Sequence, residues 1–239
     1  MRVAPILAAL AVGALLAGCG GSSHPKTIST SGAGAVTKGQ ALALAQAINL
    51  KPADVAGFKA IPSSGHETPQ EKALTRELET CAGGAGEAHK LAEAKSDEFK
   101  REAKGLPQEV SSSVSIEQTP AYAEQDLKAI RSRRGQACIV KLVNEALKAR
   151  NLAGAKVGAV SIREGTPPAP GTNGAFALRV TLPISVQGVT VQSYFDFLGF
   201  VTGSTEVTLQ SVGVNEPFPA ATQEHLFGVL VQRARTHPA

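Results

Sequence analysis

The chain has 239 residues, 43% of them apolar, and a net charge of +4. That length allows a sizeable core in one or two domains, and so small a charge gives no ground for a nucleic-acid partner. Trp is absent and Tyr numbers two, so the aromatic platforms of carbohydrate-binding grooves are scarce.

Met1–Arg2 begin the chain with a positive charge, Pro5 to Leu16 is almost wholly apolar, and Leu16-Ala17-Gly18-Cys19 ends the run. This order predicts a secretory signal over 1–18, and its end resembles the bacterial lipobox. That resemblance implies that Cys19 is acylated, with palmitate among the chains, and becomes the first mature residue. It would hold the protein on the outer face of the cytoplasmic membrane, because two or more acyl chains anchor stably. An ordinary signal peptide with a chance Cys is the other reading. No second apolar run reaches the roughly 18–20 residues of a membrane span. Residues 19–36 are rich in Gly and Ser and read as a flexible tether with a reach of roughly 20–25 Å. The expected α+β domain is 37–239.

Thr37-Lys38-Gly39-Gln40 fits a capping box that opens a helix to about Asn49. Leu50 to Phe58 reads as a turn and an irregular segment. Residues 70–104, rich in Ala, Glu and Lys, read as helix divided at Gly83-Gly84, with Leu74, Leu78 and Leu91 at helical spacing. Val110, Ser112, Val114 and Ile116 alternate with Ser111, Ser113 and Ser115, which predicts a strand with a polar outer face. Helices follow from Thr119 or Pro120 and after Gly135. Val157–Ile162 is expected as one strand and 164–174 as a loop. Period-two apolar residues from Phe176 to Val186, a run at Val191–Val201 apolar on both faces, and Glu206–Val212 form a meander. Its turns fall at Gln187-Gly188 and Gly203-Ser204. Pro219 suits the first turn of a closing helix. The fold class is therefore α+β, an antiparallel sheet of about five strands with helices packed on it.

Cys81 and Cys138 are two further thiols in an exported chain, for which a disulfide is the default. Two separate buried thiols or a metal site are the alternatives, and His24, His66, His89, His225 and His237 form no ligand-spaced pair.

The lipobox and tether, the segment Leu50…Asp54-Val55-Ala56-Gly57-Phe58, Cys81, and Ser96-Asp97-Glu98-Phe99-Lys100 before the Ser-rich strand form a pattern. It continues through Ala121, Ala123, Asp126, Leu127 and Cys138 to Tyr194-Phe195-Asp196-Phe197, Gly203 and the Leu226–Arg233 helix. Over roughly 50–235 it is similar to the actinobacterial cell-envelope lipoproteins and kinase extracellular sensor domains with a fold like that of the PsbP extrinsic photosystem proteins. The resemblance implies one domain, a Cys81–Cys138 bridge, and a ligand-binding, sensing or scaffold role. It carries over no catalytic site.

Asp196 lies inside the most apolar strand, where a carboxylate is costly unless paired. It reads either as a polar anchor in a ligand cleft, with Tyr194, Leu198 and Phe200, or as the partner of an Arg or a sheet-edge group facing water. Glu206 is expected to face solvent. Arg131, Arg133, Arg134, Lys141, Lys148 and Arg150 form the densest basic cluster, read as solvated helix ends. No Gly-x-Ser-x-Gly, His-Glu-x-x-His or phosphate-cradling loop is present, so the expectation is no enzyme, no cofactor and no metal. The expected function is a non-catalytic, sensor-like module that binds a lipid or small hydrophobic ligand. The alternative is an interaction or scaffold module for another envelope protein.

Overall fold

The computed structural model describes residues 36–63, 69–149 and 155–239. Helix α1 (Lys38–Ile48) opens with the expected capping box: Thr37 and Gln40 exchange side-chain and backbone hydrogen bonds. A 3-10 turn at Pro52–Asp54 leads to strand β1 (Lys59–Ile61) and then to helix α2 (Pro69–Ala82). A short 3-10 turn (Glu87–His89) leads into strands β2 (Lys90–Lys95), β3 (Glu98–Ala103) and β4 (Leu106–Glu117). Helices α3 (Pro120–Arg131) and α4 (Arg133–Ala149) follow. The last third holds β5 (Ala155–Val157), β6 (Ser161–Gly165), β7 (Gly174–Val186), β8 (Val189–Thr202), β9 (Thr205–Val214) and helix α5 (Ala220–Thr236).

The nine strands among the described residues join one antiparallel sheet in the order β1-β3-β4-β9-β8-β7-β5, with β2 on β4 and β6 on β7. The α+β class holds, and the sheet is larger than the five strands expected. Residues 90–103 account for much of the difference. Their Ala, Glu and Lys favour helix locally, yet they pair with β4 as β2 and β3, broken at Ser96-Asp97. Tertiary pairing outweighs the weak propensity of each residue. The single strand expected at Val157–Ile162 is two strands. Gly158 lies between them and donates to the carbonyl of Pro183, and a Cβ at Gly158 would stand 2.6 Å from the Pro183 ring.

Strand β8 is central, between β7 and β9, which is why both of its faces are apolar. On one face Leu198, Phe200, Val207 and Leu209 pack with Ala41, Ala45 and Ile48 of α1 and Leu226, Phe227 and Leu230 of α5. On the other face Phe176, Leu178 and Val201 pack under Ala123 and Leu127 of α3, and Val180, Leu182 and Phe195 pack under Val143 of α4. Helix α2 lies on α4, where Leu78 meets Leu142 and Cys81 bonds to Cys138 with a Cα–Cα separation of 5.9 Å.

Candidate functional site

Strand alternation puts Ser113, Ser115 and Glu117 of β4 on one sheet face, and the register places Ser113 opposite Thr208 and Ser115 opposite Glu206 of β9. This is the face that carries α2 and α3. Over β4 and β9 the helices therefore roof a polar stripe, beside the apolar β7–β8 part of the same face. The roof and the stripe do not close on each other. Between them lies a cleft of about 130 Å³ whose walls include Ser113, Ser115, Glu117, Glu206 and Thr208 from the sheet, Leu78 and Glu79 from α2, and Asp126, Leu127 and Ile130 from α3.

The cleft is acidic. Glu117 is 2% exposed, and its Oε2 has no hydrogen-bond partner among the described residues. The same is true of Oε1 of Glu206. One carboxyl oxygen each from Glu117, Asp126 and Glu206 lie within 4.8 Å of one another. Asp126 is fixed by the backbone N–H of Ala85, which donates to Oδ1 at 2.6 Å. A Cβ at Gly84 would stand 2.4 Å from that same oxygen, so the Gly-rich break after α2 lets the chain pass close to Asp126. Lys90, directly opposite Glu117 in the β2–β4 register, bonds instead to Glu87 at 2.5 Å and Glu93 at 3.0 Å.

These contacts decide the proton affinities. Burial pushes Glu117 up to about 7, and Asp126, Glu87 and Glu79 add to it against the pull of Lys90. Burial raises Glu206 well above the ordinary carboxyl range, reinforced by Asp126 and Glu117, and Glu206 shares a hydrogen bond with Asp126. Burial also raises Asp126, though the Ala85 N–H opposes it. Glu79 stands near 7 through burial and the adjacent Glu87. Burial works against the charge on Lys90, but Glu93 and Glu87 outweigh it and hold its pKa above the usual range. The cleft thus balances its negative charge with protons held above their ordinary pH.

Beside the cleft, sharing Leu78 and Ile130, is a wholly apolar seam of about 30 Å³ under α4, lined by residues such as Leu142, Val180 and Phe195. That is room for about two or three water molecules, not for an acyl chain.

Comparisons with protein-family models, with curated proteins and with solved structures give no match to the chain.

The residues singled out from the sequence fall in different places. Cys19 lies outside the described residues. Cys81 and Cys138 form the bridge and fix α2 over the cleft. Asp196, 3% exposed, accepts from Arg179 Nε at 2.5 Å and Nη2 at 3.0 Å, so of its readings the Arg pair is the one observed. Leu198 lies in the core against α1 and α5. Tyr194 is half-buried on β8 and does not line the cleft. Phe200 meets Phe227 edge-to-face and also borders the cleft. In the basic cluster, Arg134 donates to the carbonyls of Cys81 and Thr80, and Lys141 pairs with Glu77 at 2.7 Å. Both tie α4 to the C-terminal half of α2, where cations suit the orphan carbonyls. Glu206, expected in solvent, is instead turned into the cleft. Period-two polarity cannot tell a solvated face from one roofed by helices. The signal available in the sequence is the set of separate carboxyls Glu117, Asp126 and Glu206, whose meeting depends on long-range register.

Proposed function

We propose that the chain is a lipid-anchored extracytoplasmic module that binds a small, positively charged ligand in the cleft between β4–β9 and α2–α3, without chemistry. The observation that carries this reading is the buried Glu117 carboxylate, unpartnered on Oε2 and facing two further carboxyls. A buried polar group without a partner costs about 1–3 kcal/mol, a cost that a ligand would relieve. The cleft size sets the ligand class: about 130 Å³ suits an ion or a molecule of a few heavy atoms. The adjoining seam is too narrow for lipid as it stands, so the hydrophobic part of the expected ligand class is not favoured.

The resemblance to PsbP-like envelope lipoproteins and sensor domains supports the same reading, as does the lipobox at Cys19 for its place on the outer membrane face. No described helix is long and apolar enough to cross a membrane. The scaffold alternative wants a continuous apolar patch. Among the described residues the exposed large apolar side chains are Val36 just before α1, Leu42 on α1, Ile61 on β1, Val157 on β5 and Val189 on β8.

Thermal melts of the purified full chain against millimolar ethanolamine, putrescine, divalent chlorides, neutral polyols and short carboxylates test the reading. Stabilisation follows ligand saturation. At least one cation should raise the melting temperature by several degrees, and this shift should vanish in Glu206→Gln. Stabilisation by no cation, or by cations equally in Glu206→Gln, contradicts it.

A further inference from the structure

We infer that Glu117, Asp126 and Glu206 form a binding site for one divalent hard cation of the calcium and manganese class. The inference rests on the reading of the cleft as a ligand site and names the ligand. Its ligand atoms come from three separate elements, β4, α3 and β9, packed into one frame. Their carboxyl oxygens stand within 4.8 Å of one another. Oxygens at that spacing surround a point that a cation with bonds of about 2.3–2.6 Å reaches after small side-chain adjustments, as calcium does. Magnesium demands a tighter octahedron at about 2.0–2.1 Å. The donor set is oxygen alone, which selects calcium, magnesium or manganese over zinc or copper.

The acidic residues are not the whole of the case. Glu117 is 2% exposed, its Oε2 has no hydrogen-bond partner among the described residues, and one of its carboxyl oxygens lies within 4.8 Å of those of Asp126 and Glu206. Lys90 lines the same cleft, opposite Glu117 in register, but its hydrogen bonds go to Glu87 and Glu93 and none goes to the three carboxyls. The cleft also has room for the waters that complete a calcium shell, beside the hydroxyl-bearing Ser115 and Thr208.

The test is electron paramagnetic resonance of free Mn²⁺ with the purified full chain at pH 7.5. The free-ion signal should fall by one equivalent, and added Ca²⁺ should restore it. Glu117→Gln and Glu206→Gln should each weaken binding at least tenfold, while Glu124→Gln on the exposed part of α3 should leave it unchanged. Circular dichroism checks that each variant is folded. A free-ion signal unchanged at millimolar Mn²⁺ overturns the inference, as does binding that survives both ligand variants. If Mn²⁺ fails while an organic ammonium stabilises the chain in a Glu206-dependent way, this inference falls and the cleft reading stands. If both fail, both fall.

Discussion

Burying Glu117 gives the molecule a pH dependence opposite to that of a salt-bridged carboxylate. Its folded pKa of about 7 lies above the ordinary 4.5, so the folded chain holds this proton more tightly than the unfolded one. The penalty is absent below about pH 4.5, grows through the interval and is complete above about 7. For a residue so enclosed it amounts to about 3 kcal/mol, and Glu79 acts in the same sense. Chemical denaturation of the metal-free chain should therefore show stability falling as pH rises from 5 to 8. A flat or rising profile would contradict the burial of Glu117. Asp196 makes a contrasting case. Its carboxylate is satisfied twice by Arg179, so Asp196→Ala should cost about 1–3 kcal/mol in a urea melt, at the lower end because Arg179 is half-exposed and water can solvate it. It should leave cation binding intact. Altered Mn²⁺ affinity in that variant would show that the two sheet faces are coupled.

At the scale of elements, the site depends on α2 staying over the sheet. The bridge closes a loop of 57 residues, worth about 4 kcal/mol on the chain-entropy model. Arg134 and Lys141 add polar contacts to the same junction. Replacing Cys81 and Cys138 by Ser should lower stability by about that amount and speed amide exchange in α2 ahead of β8. Equal exchange in both would mean that the bridge does not hold the roof. Gly135→Ala should also destabilise, because its Cβ would meet the carbonyl of Ala129 at 2.2 Å, and a melt unchanged from the parent would argue against so tight an α3–α4 turn. Much of this frame was legible in the sequence. The capping box at Thr37, the helix at Pro120, the β7–β8–β9 meander and its Gly turns are local signals and appear as read. The strands β2 and β3 were not, because their residues favour helix and only the long β4 strand recruits them. The site was hidden for a related reason. Ser115 and Glu206 look like solvent-facing strand positions until α2 and α3, whose placement follows from the bridge and the apolar faces, cover them.

For the whole molecule, the two sheet faces divide the work. The α1 and α5 side is a filled apolar core, bound at its margin by the Arg233 pair with Asp54 at 2.7 Å and by Asn49, whose side chain bonds Ala94 and Ser112. The α2–α3 side keeps an acidic cleft that its own folding does not satisfy, the pattern in which stability is given up for function. A membrane anchor at Cys19 would place that cleft where extracytoplasmic cations reach it. The most direct test is the stability of Glu117→Gln beside the unaltered chain at pH 8, without and with 5 mM Ca²⁺. The variant should be the more stable of the two in the absence of metal, because a buried charge has been removed. Ca²⁺ should stabilise the unaltered chain and not the variant. A variant less stable without metal, and no response to Ca²⁺ in either chain, would mean that the carboxyl cluster is a structural element and that the ligand site lies elsewhere.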